Sequence, residues 1–169
     1  MAITPKNIVL IGFMGSGKSS VAKHLGRNLG RFVLDSDEMI EKILGVSIAE
    51  FFEKEGEEAF RKKEARFIAW AKKSVQDAII STGGGMPIFH NVRQMGFVVY
   101  LNSDFDSIVG RLDGAKIAKR PLFRDLDKAR ELFEVRREIY AKNADLEVDA
   151  NRSIESIALE IINHIDTKR

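Results

Sequence analysis

Residues 8–20 read Ile-Val-Leu-Ile-Gly-Phe-Met-Gly-Ser-Gly-Lys-Ser-Ser. The four apolar residues at the start have the length of a short buried strand, and the glycines that follow predict a loop. Next comes an amphipathic segment with Val21, Leu25 and Leu29 on one face, which predicts a helix. The order strand, glycine-rich loop and helix is the setting in which the pattern G-x-x-x-x-G-K-S forms a phosphate-binding loop.

The residue types in this loop suit a triphosphate. Glycines let successive backbone N–H groups turn towards phosphate oxygens, because no β-carbon obstructs them. Lys18 can reach the β- and γ-phosphates, and Ser19 offers a hydroxyl to Mg²⁺. The following helix presents its positive N-terminal end to the same anion. The alternative is a glycine-rich turn that binds no ligand.

Composition excludes several classes of function. The 169 residues predict one domain over 1–169. Cysteine is absent, which excludes disulfides and thiolate chemistry and fits a reducing cytoplasm. The 27 basic and 25 acidic side chains are interspersed, so we expect no nucleic-acid binding. No apolar run approaches the ~18 residues of a membrane span, and no export signal is visible, so we expect a soluble, cytoplasmic protein. The three histidines, His24, His90 and His164, lack the spacing of a metal site or a triad, and we assign them no role.

Two aspartates follow the second predicted strand. Residues 31–34 carry a short apolar run, Phe32, Val33 and Leu34, which stops at Asp35-Ser36-Asp37. Because α/β sheets bind ligands beyond the carboxyl ends of their strands, we expect both aspartates on the edge that holds the phosphate loop. There one carboxylate can reach the Mg²⁺ shell and the other a hydroxyl of a phosphoryl acceptor. The alternative is that they cap the helix that begins near Glu38.

A helical pattern covers residues 47–74 and is broken by Gly56. Within it Arg61 and Glu64 stand three residues apart, so they face the same way on a helix. An arginine held by a neighbouring glutamate suits a bidentate grip on a small carboxylate. A solvated surface pair is the alternative meaning of this spacing.

The third predicted strand, over residues 77–82, ends in Gly83-Gly84-Gly85. Three glycines after a buried strand allow close backbone approach to a ligand, and the alternative is a mobile turn. In many phosphate-loop proteins the corresponding strand ends in an acidic residue, but this strand does not. Asp35 would have to supply that carboxylate.

The rest of the chain completes an alternating α/β pattern. It predicts a fourth strand over 96–101, a helix over about 104–112, a fifth strand over 146–148 and a final helix from Ser153. Residues 113–126 are polar and basic, and they form either a loop that closes over an anion or an ordinary solvated connection. The charged helix over 127–143 should turn Val135 inward, and in it Arg136 precedes Tyr140 by one turn.

Six features together resemble the shikimate kinase family, within the nucleoside-monophosphate-kinase-like group of phosphate-loop enzymes. They are the loop over 12–19, Asp35-x-Asp37, Phe60-Arg61-x-x-Glu64, Gly83-Gly84-Gly85, Arg120-Pro121-Leu122 and Arg136-x-x-x-Tyr140. The resemblance implies a three-layer α/β/α fold with a five-stranded parallel sheet in the order 2-3-1-4-5. It also implies substrate-binding helices over about 36–74 and a mobile lid over about 113–126.

The implied reaction transfers the γ-phosphoryl group of ATP to the 3-hydroxyl of shikimate, a step of chorismate and aromatic amino-acid biosynthesis. By the resemblance, Asp37 would bind the acceptor hydroxyls and either orient or deprotonate the attacking one. Arg61 and Arg136 would clamp the carboxylate, and Glu64 would hold Arg61. The backbone of Gly83, Gly84 and Gly85 would close the floor of the pocket, and the ring would be walled by Phe52, Phe60, Pro121 and Leu122.

The resemblance also assigns the nucleotide side. Lys18 and Arg120 would meet the charge on the transferring phosphoryl group, and with Asp37 they are the predicted catalytic residues. Ser19 would hold Mg²⁺ directly and Asp35 through water. The remaining predicted ATP contacts are Gly12, Met14, Gly15, Ser16, Gly17, Ser20, Arg111, Asn151 and Arg152.

Other functions are compatible with parts of the pattern. The nearest is a kinase of another small hydroxy-acid, such as gluconate, which the paired arginines and the triple glycine argue against. A nucleoside-monophosphate kinase would need a second base-reading pocket. A GTPase-like switch would need an Asn-Lys-x-Asp stretch, and the sequence has none. We therefore expect ATP and shikimate as the partners of a monomer.

Overall fold

The computed structural model describes residues 7–118 and 120–167. Its five strands form one sheet in the order β2-β3-β1-β4-β5. Every neighbouring pair is parallel, which confirms the predicted sheet and its order. The strands are β1 Ile8–Ile11, β2 Val33–Asp35, β3 Ile79–Ser81, β4 Phe97–Asn102 and β5 Leu146–Asp149.

Helices connect the strands and cover both faces of the sheet. They are α1 Lys18–Leu29, α2 Ser36–Leu44, α3 Ile48–Ser74, α4 Met86–Phe89, α5 Phe105–Gly110, α6 Gly114–Ala118, α7 Leu126–Asn143 and α8 Ile154–Thr167. Two 3-10 turns, Val92–Gln94 and Pro121–Arg124, lie between them. Among the described residues, no helix combines the length and the apolar character needed to cross a bilayer.

Two separate cores show that the fold has three layers. Alternate side chains of β1 point to opposite faces of the sheet. Val9 and Ile11 join a core with buried residues of α3 and α7, whereas Ile8 and Leu10 join a second core with α1 and α8. All four are fully buried, which explains why β1 is a continuous apolar run and not an alternating one.

Gly56 divides α3 into two helical segments, as its sequence predicts. A capping box starts the first segment, in which Ser47 and Glu50 each accept a hydrogen bond from the other's backbone N–H. The backbone of Gly56 has φ 81° and ψ 170°, a conformation that glycine adopts without strain. The second segment therefore has its own direction, and it carries Arg61 and Glu64.

Several boundaries and faces differ from the sequence predictions. Strand β2 begins at Val33, at the edge of the sheet, and Phe32 before it is 87% exposed. Val135, predicted to face inward, is 64% exposed, so that prediction was wrong. The predicted lid contains α6 and the second 3-10 turn. Its Lys119 lies outside the described residues, as does the N-terminal segment 1–6.

Candidate active site

A cavity of about 1070 Å³ lies at the carboxyl ends of β1, β2 and β3. Ligands of parallel α/β sheets bind at this edge, because the connecting loops there present backbone and side-chain polar groups. Its lining includes the phosphate loop, both aspartates after β2, two of the three glycines after β3, and residues of the predicted lid. The predicted site residues among them are Met14, Gly15, Ser16, Gly17, Lys18, Ser19, Ser20, Asp35, Asp37, Phe52, Gly83, Gly84, Arg111, Arg120, Pro121, Leu122 and Arg152.

The phosphate loop carries a buried ammonium group and a buried hydroxyl. The Nζ of Lys18 donates to the carbonyl oxygens of Gly12 at 2.7 Å and of Phe13 at 2.9 Å. Burial lowers the pKa of Lys18 to about 8, so the group remains largely charged near neutral pH. The Oγ of Ser16 is buried without a hydrogen-bond partner in the part of the chain that the structure describes. A phosphate oxygen is the acceptor that both groups suit.

Asp35 faces two ways, and this combines the two alternatives left open by the sequence. Its Oδ1 accepts hydrogen bonds from the backbone N–H groups of Asp37 at 3.0 Å and Glu38 at 3.1 Å, and it thereby caps α2. Its Oδ2 lies 3.5 Å from the Oγ of Ser19. The pair of oxygens suits Mg²⁺, which prefers hard oxygen ligands and takes most of them from phosphates and water. The described residues contain no cluster of three or more histidine, cysteine or acidic side chains that could hold a metal ion.

Asp37 is held in an environment that disfavours its charge. Burial is the main cause that raises the pKa of Asp37 to about 6, and the charges of Asp35 and Glu64 act in the same direction. The carboxylate lies directly against Gly83, where an added β-carbon would be 2.5 Å from its Oδ1. Any other residue at position 83 would therefore displace the carboxylate.

The raised pKa predicts that Asp37→Asn stabilises the folded protein above pH 6. An ordinary aspartate ionises in the unfolded chain near pH 3.8, so between that value and about 6 ionisation progressively opposes folding. We expect a gain in unfolding free energy of about 1–3 kcal/mol at pH 8 that disappears below about pH 4. Denaturant unfolding of both proteins between pH 4 and pH 8 measures it. An equal difference at both ends of the range would contradict the assigned cause.

Arg61 forms ion pairs with two glutamates, Glu57 and Glu64. Its Nη1 donates to both carboxylate oxygens of Glu64 at 2.9 Å. Its Nη2 and Nε donate to Oε1 of Glu57 at 2.8 and 3.3 Å. A β-carbon at Gly85 would lie 2.6 Å from Nη1, so this glycine lets the guanidinium lie against the backbone. The buried Glu64, 1% exposed, excludes the solvated surface pair that was the alternative for this spacing.

The helix α7 reaches the middle glycine through Tyr140. The ring of Tyr140 is buried, and its hydroxyl donates to the carbonyl oxygen of Gly84 at 2.6 Å. Burial raises the pKa of the Tyr140 hydroxyl, which keeps it protonated as a donor. Arg136 lies one turn earlier, and its Nε is buried without a hydrogen-bond partner among the described residues. Burial is the main cause that lowers the pKa of Lys18, and the charges of Arg120 and Arg136 act in the same direction.

Three consecutive glycines thus contact three predicted elements of the site. Gly83 lies against Asp37, Gly84 accepts a hydrogen bond from Tyr140, and Gly85 lies against Arg61. These three residues, the glycine wall, therefore form one backbone surface that the side chains of Asp37, Tyr140 and Arg61 contact.

A family model described as shikimate kinase matches residues 14–166. The chain belongs to the shikimate kinase family. A shikimate kinase from Helicobacter hepaticus is 45% identical over 161 residues, which are 95% of this chain and 96% of that one. A shikimate kinase structure from Acinetobacter baumannii, in complex with shikimate, superposes with a TM-score of 0.85 at 33% identity, covering 97% of this chain and 94% of that one.

A more distant similarity concerns the shikimate kinase fold alone. A deoxyadenosine kinase from M. mycoides with bound dATP superposes with a TM-score of 0.62 at 15% identity. It covers 95% of this chain and 99% of that chain. The phosphate-loop α/β fold of this shikimate kinase family member is therefore shared with nucleoside kinases.

The structure also shows which predicted residues of the family pattern lie off the cavity wall. Phe60 is buried and packs behind Phe52, with ring centroids 5.0 Å apart. The residues Arg61, Glu64, Gly85 and Arg136 do not line the cavity either, but the Cζ of Arg61 lies 6.0 Å from the ring centre of Phe52, which does. In the phosphate loop, a β-carbon at Gly15 would lie 3.1 Å from Nη1 of Arg120, so this arginine of the predicted lid lies next to the loop.

Two of the three predicted adenine contacts line the cavity, and the third does not. Arg111 and Arg152 both line the cavity, and the guanidinium of Arg111 donates to the Ser103 hydroxyl at 2.5 Å. Asn151 does not line it, because its amide oxygen accepts from the backbone N–H of Asp104 at 3.1 Å and its Nδ2 donates to that residue's carboxylate at 3.1 Å. Asn151 lies in the connection between β5 and α8, next to Arg152.

Sequence reasoning missed three residues around Arg61. Glu57 precedes Arg61 by four positions, and this spacing on a helix could have identified it. The ring of Phe89 lies 4.1 Å from the Cζ of Arg61, and Nε2 of His90 lies 3.1 Å from Oε2 of Glu64. His90 was assigned no role from its spacing, and its contact with Glu64 crosses 26 residues of sequence and leaves no local signal.

Proposed function

We propose that this chain transfers the γ-phosphoryl group of ATP to the 3-hydroxyl of shikimate, giving shikimate 3-phosphate and ADP. The observation that carries the proposal is the glycine wall, which holds Asp37 and Arg61 on one backbone segment beside the phosphate loop. Membership of the family and similarity to a relative solved with shikimate support it.

On the acceptor side, Asp37 would position the attacking hydroxyl. With a pKa raised to about 6, its carboxylate is ionised at neutral pH and is also a better proton acceptor than an ordinary aspartate. It could therefore either orient the hydroxyl or remove its proton. Arg61 and Arg136 would bind the carboxylate of the acid, and the ring would lie against Phe52, Pro121 and Leu122, with Phe60 supporting Phe52.

On the donor side, the phosphate loop would hold the triphosphate. Lys18 would exchange the carbonyl oxygens of Gly12 and Phe13 for phosphate oxygens, and Arg120 would approach from the lid. Ser19 would hold Mg²⁺ directly and Asp35 through water, and the ion would neutralise part of the phosphate charge. The predicted adenine side is the wall of Arg111 and Arg152, with Asn151 behind it.

Most of the rate acceleration would come from positioning the substrates and neutralising charge. Phosphoryl transfer passes through a loose transition state that requires little covalent chemistry from the protein. Holding donor and acceptor in line can supply roughly 7–11 kcal/mol of the barrier. Fixed cations next to the transferring group add to this, because they need no reorganisation during the reaction.

The proposal assigns the helices over about 36–74 to the acid and the segment over about 113–126 to a closing lid. Closure of such a segment would exclude water from the phosphoryl group. The predictions of a monomer and of a cytoplasmic location belong to the same proposal.

A coupled assay of ADP release tests the function directly. With ATP and Mg²⁺ we expect release to depend on added shikimate and to exceed that with gluconate or nucleoside monophosphates by at least about 100-fold, since a mismatched polar site leaves its groups unpaired. Preferential release with gluconate would favour the other hydroxy-acid kinase. Negligible transfer to every acceptor would favour a nucleotide-dependent switch.

A further inference from the structure

The Nε and Nη2 edge of the Arg61 guanidinium, which suits bidentate binding of a carboxylate, already binds the carboxylate of Glu57. Its Nε and Nη2 point the same way, and Oε1 of Glu57 accepts from both, at 3.3 and 2.8 Å. A substrate carboxylate needs such a pair of parallel N–H donors. Glu57 therefore occupies donors that an incoming acid would use.

The two glutamates on Arg61 differ in their freedom to leave. Glu64 is 1% exposed, and its Oε2, which accepts from Nη1 of Arg61, also lies 3.1 Å from Nε2 of His90. Glu57 is 54% exposed. Moving the buried Glu64 would leave a charge unpaired, which is costly, whereas Glu57 can exchange Arg61 for water at little cost.

The charges favour the same exchange. One guanidinium faces two carboxylates, so the group carries a net negative charge as long as His90 is neutral. That charge repels an acid. If Glu57 turns to solvent, Arg61 and Glu64 balance each other and donors on Arg61 become available.

The backbone next to Glu57 permits this movement. Glu57 directly follows Gly56, whose φ of 81° and ψ of 170° interrupt the helix. Glu57 is thus the first residue of the second segment, where the preceding turn does not crowd its side chain.

We propose that Glu57 competes with the substrate's carboxylate for Arg61, and that it turns to solvent when the acid binds. The inference rests on the proposed function of Arg61 as the carboxylate-binding arginine. In this view Glu57 lowers affinity for the acid and keeps Arg61 in place while the site is without it.

The variant Glu57→Gln tests the competition, and Glu58→Gln is its matched control. Glu58 is the next residue, is 88% exposed, and pairs with Lys62 on the surface, so its substitution changes the net charge equally. We expect Glu57→Gln to lower the shikimate KM and the calorimetric dissociation constant about two- to fivefold, the range for an exposed ion pair. The effect should appear in KM and not in kcat, and the control should show neither change.

A second variant, Glu57→Ala, removes the remaining amide acceptor and should lower KM at least as much. A shikimate KM that rises or stays unchanged in both Glu57 variants would overturn the proposal and identify Glu57 as a residue that only positions Arg61. Thermal unfolding of each variant controls for altered stability. This outcome is separate from failure of the proposed function, which would appear as absence of shikimate-dependent ADP release in the unaltered protein.

Discussion

Asp37→Asn should lower kcat for shikimate about 10²- to 10⁴-fold while the dissociation constant for ATP changes less than about threefold. Asparagine keeps the size of the side chain but cannot accept a proton and presents an N–H group where the attacking hydroxyl needs an acceptor. ATP binding should be preserved, because the groups that suit phosphate are in the phosphate loop, among them Lys18 and Ser16.

Single-turnover kinetics and nucleotide titration measure the two effects separately. Glu38→Gln is the matched control, since Glu38 is the exposed neighbour of Asp37 in the first turn of α2. The stability gain predicted above for Asp37→Asn makes the test sharper, because an inactive variant that is more stable at pH 8 is not misfolded. Equal loss of turnover and ATP binding would contradict the assigned role.

Arg61→Lys should raise the shikimate KM at least about thirtyfold. Lysine retains the charge next to the buried Glu64, but its ammonium cannot present two parallel N–H donors to a carboxylate. Loss of one partner in a largely desolvated charge pair costs on the order of 2–5 kcal/mol, which corresponds to this factor or more. The ring of Phe89 would also lose the planar guanidinium that lies 4.1 Å from its centre.

The control for this substitution is Arg66→Lys, an exposed arginine on the same helix. Initial rates over a range of shikimate concentrations at saturating ATP measure the effect. A change of less than threefold in apparent affinity would refute the role of Arg61. Unchanged ATP affinity in both variants would show that the loss is confined to the acid.

Much of the candidate site could be read from contiguous patterns. The phosphate loop is one such pattern, since its glycines, Lys18 and Ser19 all fall within eight consecutive residues at the start of a helix. For Asp35 the sequence left helix capping and metal binding open as alternatives, and in the structure its Oδ1 caps α2 while its Oδ2 lies 3.5 Å from the Oγ of Ser19. Side-chain direction was harder to read, as Val135 shows, because the face of a charged helix depends on what packs against it.

The sequence by itself determined the parallel α/β class, the phosphate loop and the family, because each depends on spacing within one segment or on a set of such segments. Only the tertiary structure decided what surrounds Arg61 and what each of the three glycines contacts. Tyr140 meets Gly84 across 56 residues, and His90 meets Glu64 across 26. Such contacts follow from how α3, α4 and α7 pack beside β3, and packing distances are not encoded in any local periodicity.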